Sequence, residues 1–266
     1  MPTTDAADAA DGADDAHGVR HRGVLVVIPA YNEQDCIGAV VDDVRTAGFA
    51  CLVVDDGSRD ETAAIATARG AAVARLPINL GVGGALRTGF RYAVDHGYDT
   101  VVQVDADGQH VADHIRHLLE ALDEQGLDGQ GLDMVVGSRF AGDSGYRMPY
   151  VRRLCVRLLS FVIRRSGRAR ITDPTSGFRA IRSPLLAAFA ADFPAHYLGD
   201  TFEAVLVAAR RGYRLGEIPV EMRERQGGRP SADLYALVQA MLRACTVLLT
   251  GTTFDVPVRP AAASAA

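Results

Sequence analysis

Apolar, mostly β-branched runs recur at 24–28, 51–54, 72–76, 101–104 and 134–136, with helical patterns between them. Ile37, Val40, Val41 and Val44 fall at i, i+3, i+4 and i+7, and Ile115, Leu118, Leu119 and Leu122 follow the same rule. Each set predicts a helix that packs one apolar face on a sheet. Strands and helices in alternation predict an α/β domain with a mostly parallel central sheet flanked by helices. The polar segment 125–131 predicts a loop before the fifth strand, and the chain beyond Arg182 predicts two or three helices and a short strand at 217–220. No internal repeat is visible.

In an open α/β sheet the ligand lies beyond the carboxyl ends of the strands. Those ends are acidic here. The first strand runs into Pro29-Ala30-Tyr31-Asn32-Glu33, the second into Asp55-Asp56-Gly57-Ser58 and the fourth into Asp105-Ala106-Asp107-Gly108-Gln109. So many carboxylates on one edge repel one another unless a cation or donor groups bind them. Asp105 and Asp107, two apart after a strand, are hard oxygen ligands suited to Mg²⁺ or Mn²⁺, and Gln109 can add an amide oxygen. An isolated Asp-x-Asp is more often a solvated acidic turn. The neighbouring Asp55-Asp56 turn alters that balance, because a base or ribose needs acceptors for its N–H and O–H groups. The other role for Asp56 is to cap the turn that follows it.

Composition narrows the field. A chain of 266 residues that is 48% hydrophobic builds one large core or two modest ones, and a single domain is expected. A net charge of −5 gives no general reason to expect nucleic-acid binding, whose usual footprint is a clearly basic domain. The charge is uneven, however: residues 139–182 hold eleven arginines against Asp143 and Asp173, which points to an anionic partner. All 28 basic residues are arginine, so any mechanism built on a lysine is excluded. Cys36, Cys51, Cys155 and Cys245 show no C-x-x-C spacing and lie in apolar patterns, as core thiols in a reducing cytoplasm do. Residues 1–22 read as a disordered acidic tail with neither the basic start nor the apolar run of a signal peptide. The apolar stretch 234–249 is broken by Gln239 and Arg243 and is too short to span a bilayer, so no transmembrane helix is expected.

Taken in order, the Pro29 to Glu33 segment, Asp55-Asp56-Gly57-Ser58-Arg59-Asp60, Asn79-Leu80-Gly81-x-Gly83 and the Asp105 to Gln109 loop resemble glycosyltransferase family 2. Gly137-Ser138-Arg139-Phe140 and Asp173-Pro174-Thr175-Ser176-Gly177-Phe178-Arg179 further resemble its branch of dolichol-phosphate mannose synthase-like, polyprenyl-phosphate glycosyltransferases. The likeness covers residues 24–230. It implies a GT-A fold and an inverting, metal-dependent transfer from a nucleoside-diphosphate sugar of the GDP-mannose or UDP-glucose type. It also implies that Pro29, Tyr31, Glu33 and Asp56 line the nucleoside, while Asp105, Asp107 and Gln109 hold the metal against the diphosphate. Val82 departs from the basic residue of many relatives, and Pro230-Ser231 replaces a Ser-Lys pair. The implied organisation is a tail at 1–22, a GT-A domain at 23–230, and a C-terminal amphipathic helix with a flexible end at 231–266.

For the acceptor, a phosphate would be met by arginine, whose planar fork binds it in a bidentate way. Arg139, Arg147 and Arg225 are the candidates. A phosphate monoester already carries charge and needs no protein base. A hydroxyl acceptor would need one, and Asp200 and Glu203, at the start of a helix, are the candidates, with N-capping the simpler role for Asp200. Cys155, Leu158, Leu159 and Val162 form an apolar stripe on a helix crowded by Arg152, Arg153, Arg157, Arg164 and Arg165. Such a helix packs on the core or lies in a membrane interface, and the arginine surplus favours the interface. Leu234, Leu237, Val238, Met241, Leu242 and Cys245 repeat the pattern, equally able to pack on the domain or on a bilayer, and a cytoplasmic protein is expected, peripheral to the membrane if they take the bilayer. His110, His114 and His117 have a spacing that zinc could use, but histidines at the cleft edge are the simpler expectation. A dinucleotide oxidoreductase is excluded because the first turn lacks G-x-G-x-x-G. A nucleotidyltransferase or a receiver-like module would want a lysine. A binding protein without turnover stays open.

Overall fold

The computed structural model describes residues 23–124, 131–141, 150–167, 169–193 and 200–223. The acidic tail, the C-terminal segment from 224, Arg147 and Arg225 lie outside the described residues. In chain order the elements are β1 (Val24–Ala30), α1 (Ile37–Thr46), β2 (Ala50–Asp55), α2 (Thr62–Ala68), β3 (Ala72–Arg75), α3 (Gly81–Asp95), β4 (Thr100–Gln103), α4 (His114–Asp123), β5 (Met134–Ser138), α5 (Tyr150–Gly167), β6 (Arg179–Arg182), α6 (Leu185–Ala191), α7 (Asp200–Arg210) and β7 (Leu215–Pro219).

One sheet of seven strands runs in the order β3-β2-β1-β4-β6-β5-β7. All pairings are parallel except those of β6, which is antiparallel to both β4 and β5. Strands buried on both faces read as continuous apolar runs, as Leu25 to Ile28 do here. One face carries a core built with α3, α5, α6 and α7, in which Phe90 and Phe189 stack and Phe193 meets both edge-on. The opposite face packs α1 and α4 through Ile37, Val41, Ile115 and Leu118. The predicted strands and the two predicted helices are all present. β6 was not foreseen: its four residues, Arg-Ala-Ile-Arg, begin and end in charge, and only pairing on both sides makes them a strand.

Two further outcomes concern packing. Cys155, Leu159 and Val162 of the expected α5 stripe are buried, together with Val156 and Ile163, but Leu158 is 44% exposed, so the buried face is rotated from the one predicted. Cys36, Cys51 and Cys155 are buried thiols, and burial pushes the Cys51 thiol up to about 11 against a smaller opposing pull from Arg45. Among the described residues no helix is long and apolar enough to cross a membrane.

Candidate active site

The first two strand ends are laced together by backbone donors and short polar side chains. Asn32 takes a positive φ of 54°, and its N–H donates to Ser58 Oγ at 2.9 Å while its Oδ1 accepts from Arg59 N–H at 2.9 Å. Glu33 N–H donates to Thr62 Oγ1 at 2.9 Å, and Asp60 Oδ1 accepts from Thr62 N–H at 3.0 Å. These bonds fix the Pro29 to Glu33 turn and leave Tyr31 as an exposed ring at the lip. Gly57 must be glycine: its φ is +74°, and a Cβ there would come within 2.9 Å of the Ile78 carbonyl carbon.

Asp55 and Asp56 differ from each other in what they bind. Asp55 is 0% exposed; its Oδ1 accepts from Ser58 N–H at 2.9 Å, and its Oδ2 faces Arg75 Nε at 3.2 Å without an aligned hydrogen bond. Turned inward in this way, it shapes the turn and offers nothing to a nucleoside. Asp56 accepts Leu80 N–H at 2.7 Å and Gly81 N–H at 2.8 Å, binding the residues that open α3. It thus caps the start of α3, distant in sequence, where the turn directly following it was the expected partner, and each of its oxygens keeps a second lone pair. Burial raises its carboxyl above the ordinary value, with Asp55 adding to the rise and the two backbone hydrogen bonds opposing it.

At the end of β4, Asp107 is buried and its Oδ1 accepts from Gln109 N–H at 3.1 Å. Asp105 keeps 39% of its side chain exposed, and its Oδ2 accepts from His110 Nε2 at 3.3 Å. The His110 ring stacks on Phe178 with centroids 4.7 Å apart. Burial alone would raise the Asp105 carboxyl, but His110, the Gln103 amide and the Arg179 guanidinium outweigh it and hold the group below the usual carboxylate value. Gln109 is tied through its backbone, its C=O accepting from Arg223 N–H at 2.9 Å beside the His110 to Met222 bridge. His110 therefore serves Asp105 and does not form a triad with His114 and His117. Among the described residues no group of three or more His, Cys, Asp or Glu is arranged to hold a metal.

The unforeseen strand β6 completes this edge. Arg179, opposite Gln103 in the antiparallel register, is 1% exposed and donates to the Ser176 carbonyl at 2.8 Å and the Pro174 carbonyl at 3.2 Å. It thereby folds the Pro174 to Gly177 turn against Asp105. A Cβ on Gly177 would fall 2.5 and 2.6 Å from the two Asp105 carboxylate oxygens. Gly177→Ala is expected to displace that carboxylate and weaken Mn²⁺ binding about tenfold or more, as supporting residues around metal ligands do. Titration of Mn²⁺ in the presence of a nucleoside diphosphate checks this; unchanged affinity would remove Asp105 from the metal shell.

Arg139 is corrected by the structure. Its Nε and Nη2 donate to the two oxygens of Asp173 at 2.6 and 2.8 Å, and Nη2 also reaches Thr175 Oγ1 at 2.9 Å. The fork expected to meet a phosphate is closed on a carboxylate that is 0% exposed. Glu217 of β7 accepts the N–H groups of Thr172 and Asp173 at 2.8 to 2.9 Å, locking the same loop from below. Glu203 is 2% exposed in the first turn of α7; the Asp200 side chain is outside the described residues. Arg179, Gly177 and His110 were missed as site residues in the sequence, though the Gly177-Phe178-Arg179 motif contained two of them.

The sequence profile of glycosyl transferase family 2 matches residues 25–188. The undecaprenyl-phosphate mannosyltransferase of Micrococcus luteus is 33% identical over 214 residues, which cover 77% of this chain and 85% of that one. The polyprenol monophosphomannose synthase of Mycolicibacterium smegmatis is 32% identical over 77% of this chain and 78% of its own. Among solved structures, the glucosyl-3-phosphoglycerate synthase of Mycobacterium tuberculosis in complex with Mn²⁺, UDP and glucosyl-3-phosphoglycerate superposes with a TM-score of 0.66 over 91% of this chain and 89% of that one. At 23% identity that likeness carries the fold, which is GT-A. With acidic strand ends on one edge of such a sheet and the profile spanning most of it, the chain belongs to glycosyl transferase family 2.

Proposed function

We propose that this transferase moves a sugar, with inversion, from a nucleoside-diphosphate donor of the GDP-mannose or UDP-glucose type onto a polyprenyl phosphate. The observation that carries this is the pair Asp105 and Asp107 at the end of β4, Asp105 braced by His110, Arg179 and the Gly177 backbone and Asp107 by Gln109 N–H. Two hard carboxylates fit Mg²⁺ or Mn²⁺, which fills its remaining positions with water and substrate phosphates. Asp105 and Asp107 would hold it, with Gln109 as a third donor. A divalent cation at this place supplies charge neutralisation for the leaving diphosphate. Pro29, Tyr31, Glu33 and Asp56 would receive the nucleoside, the exposed Tyr31 ring offering a stacking face.

The acceptor class is supported by the relatives named for undecaprenyl phosphate and polyprenol and by the arginine excess of 139–182. An acceptor that is already anionic needs no base, so Glu203 is assigned no proton transfer. Arg225 keeps the phosphate role that Arg139 loses; it follows by two residues the Arg223 N–H anchored on Gln109. The enzyme would work peripherally at the cytoplasmic membrane face. Assays with GDP-mannose and UDP-glucose, each offered undecaprenyl phosphate or undecaprenol, test this. Product is expected from the phosphate alone, with Glu203→Gln within about threefold of wild type. Transfer to the alcohol, with a loss of about 10²-fold or more in Glu203→Gln, would overturn the phosphate acceptor.

A further inference from the structure

α5 buries Cys155, Val156, Leu159, Val162 and Ile163, yet three large apolar side chains point outward: Leu154 is 58% exposed, Leu158 44% and Phe161 54%. At 3.6 residues per turn they lie within about 60° of arc, a single row away from the core. Exposed Arg153, Arg157 and Arg164 line one flank of that row, and exposed Arg165 stands one turn beyond Phe161. The helix contains five arginines and no carboxylate. An apolar row of this size left in water, with one sign of charge beside it, marks a contact surface.

Charge decides the occupant. The apolar C-terminal stretch 231–250 carries one Asp, Asp233, balanced by Arg243, so it brings no net negative charge to set against the arginines. A second copy packing the same face about a two-fold axis would set arginine against arginine. We propose that the outer face of α5 docks on a bilayer containing anionic lipid, with Leu154, Leu158 and Phe161 entering the boundary between headgroups and acyl chains. Arginine stems lie along the apolar surface while their heads reach lipid phosphates. The docking surface goes beyond the proposed acceptor and stands whatever that acceptor is. If the acceptor is also a lipid, the contact brings the cleft to the surface in which it resides.

The test is co-sedimentation of the full chain with vesicles that contain no polyprenyl phosphate, which separates docking from turnover. Wild type is expected to bind phosphatidylcholine vesicles holding about 30% phosphatidylglycerol, to bind pure phosphatidylcholine weakly, and to release as ionic strength rises. Replacing Leu154, Leu158 and Phe161 together by Ser, or Arg153, Arg157 and Arg164 together by Glu, is expected to reduce the partition at least about tenfold. Because these side chains are exposed, the circular dichroism spectrum and melting temperature should stay near wild type. Failure of wild type to bind the anionic vesicles would overturn the proposal, as would unchanged partition in both triple variants. So would a wild-type dimer that the Ser variant dissolves without any change in vesicle binding. Loss of transfer activity with docking intact would count against the proposed function alone.

Discussion

Asp107→Ala is expected to cut sugar transfer by at least about 10³-fold, the equivalent of roughly 4 kcal/mol of transition-state stabilisation. Asp107 is buried at the end of β4, with Gln109 N–H orienting one of its oxygens. Replacing it removes one of the two carboxylates proposed to hold the cation, and donor diphosphate and water cannot restore the lost charge. The fold should survive, since Asp107 sits in the loop after the strand and the β4 pairings to β1 and β6 do not include it. Steady-state rates across a Mn²⁺ series, together with thermal melts, check both halves. Activity within threefold of wild type in a folded variant would remove the metal assignment.

Arg139→Ala is expected to cost about 3 to 5 kcal/mol of stability, the penalty for stranding a buried charge without its partner. Its guanidinium holds both oxygens of Asp173 and one hydroxyl, Thr175 Oγ1, while Glu217 secures the backbone of the same loop. Denaturant unfolding of Arg139→Ala, Asp173→Ala and the double variant measures the coupling. A double variant more stable than Arg139→Ala alone is the expected signature. A cost below about 1 kcal/mol alongside abolished turnover would return Arg139 to a direct role on the phosphate.

Much of this protein is legible in its order of residues. Leu25 to Ile28, Leu52 to Val54 and Val135 with Val136 are apolar on every side, because helices cover both faces of a parallel sheet and no alternation is required of them. The acidic turns are equally plain, since strand ends in such a sheet face the cleft by topology alone. Local chemistry thus determined the fold class, the site edge and the Asp105 and Asp107 pair.

What each polar group does there was decided by its partners, and those come from distant parts of the chain. Asp55 and Asp56 are adjacent in sequence, yet one faces inward to Ser58 and Arg75 while the other binds the start of α3. Arg139 reads as a free cation until Asp173, brought beside it by the folding of the loop before β6, takes its fork. β6 itself becomes a strand only because β4 and β5 leave a slot that accepts it antiparallel, and that slot carries Arg179 to the Asp105 to Gln109 loop. On α5 the sequence showed one apolar stripe where the structure shows two, since periodicity counts apolar positions but only packing against the sheet selects which are covered. Side-chain type and spacing are written locally; burial and pairing are properties of the assembled sheet.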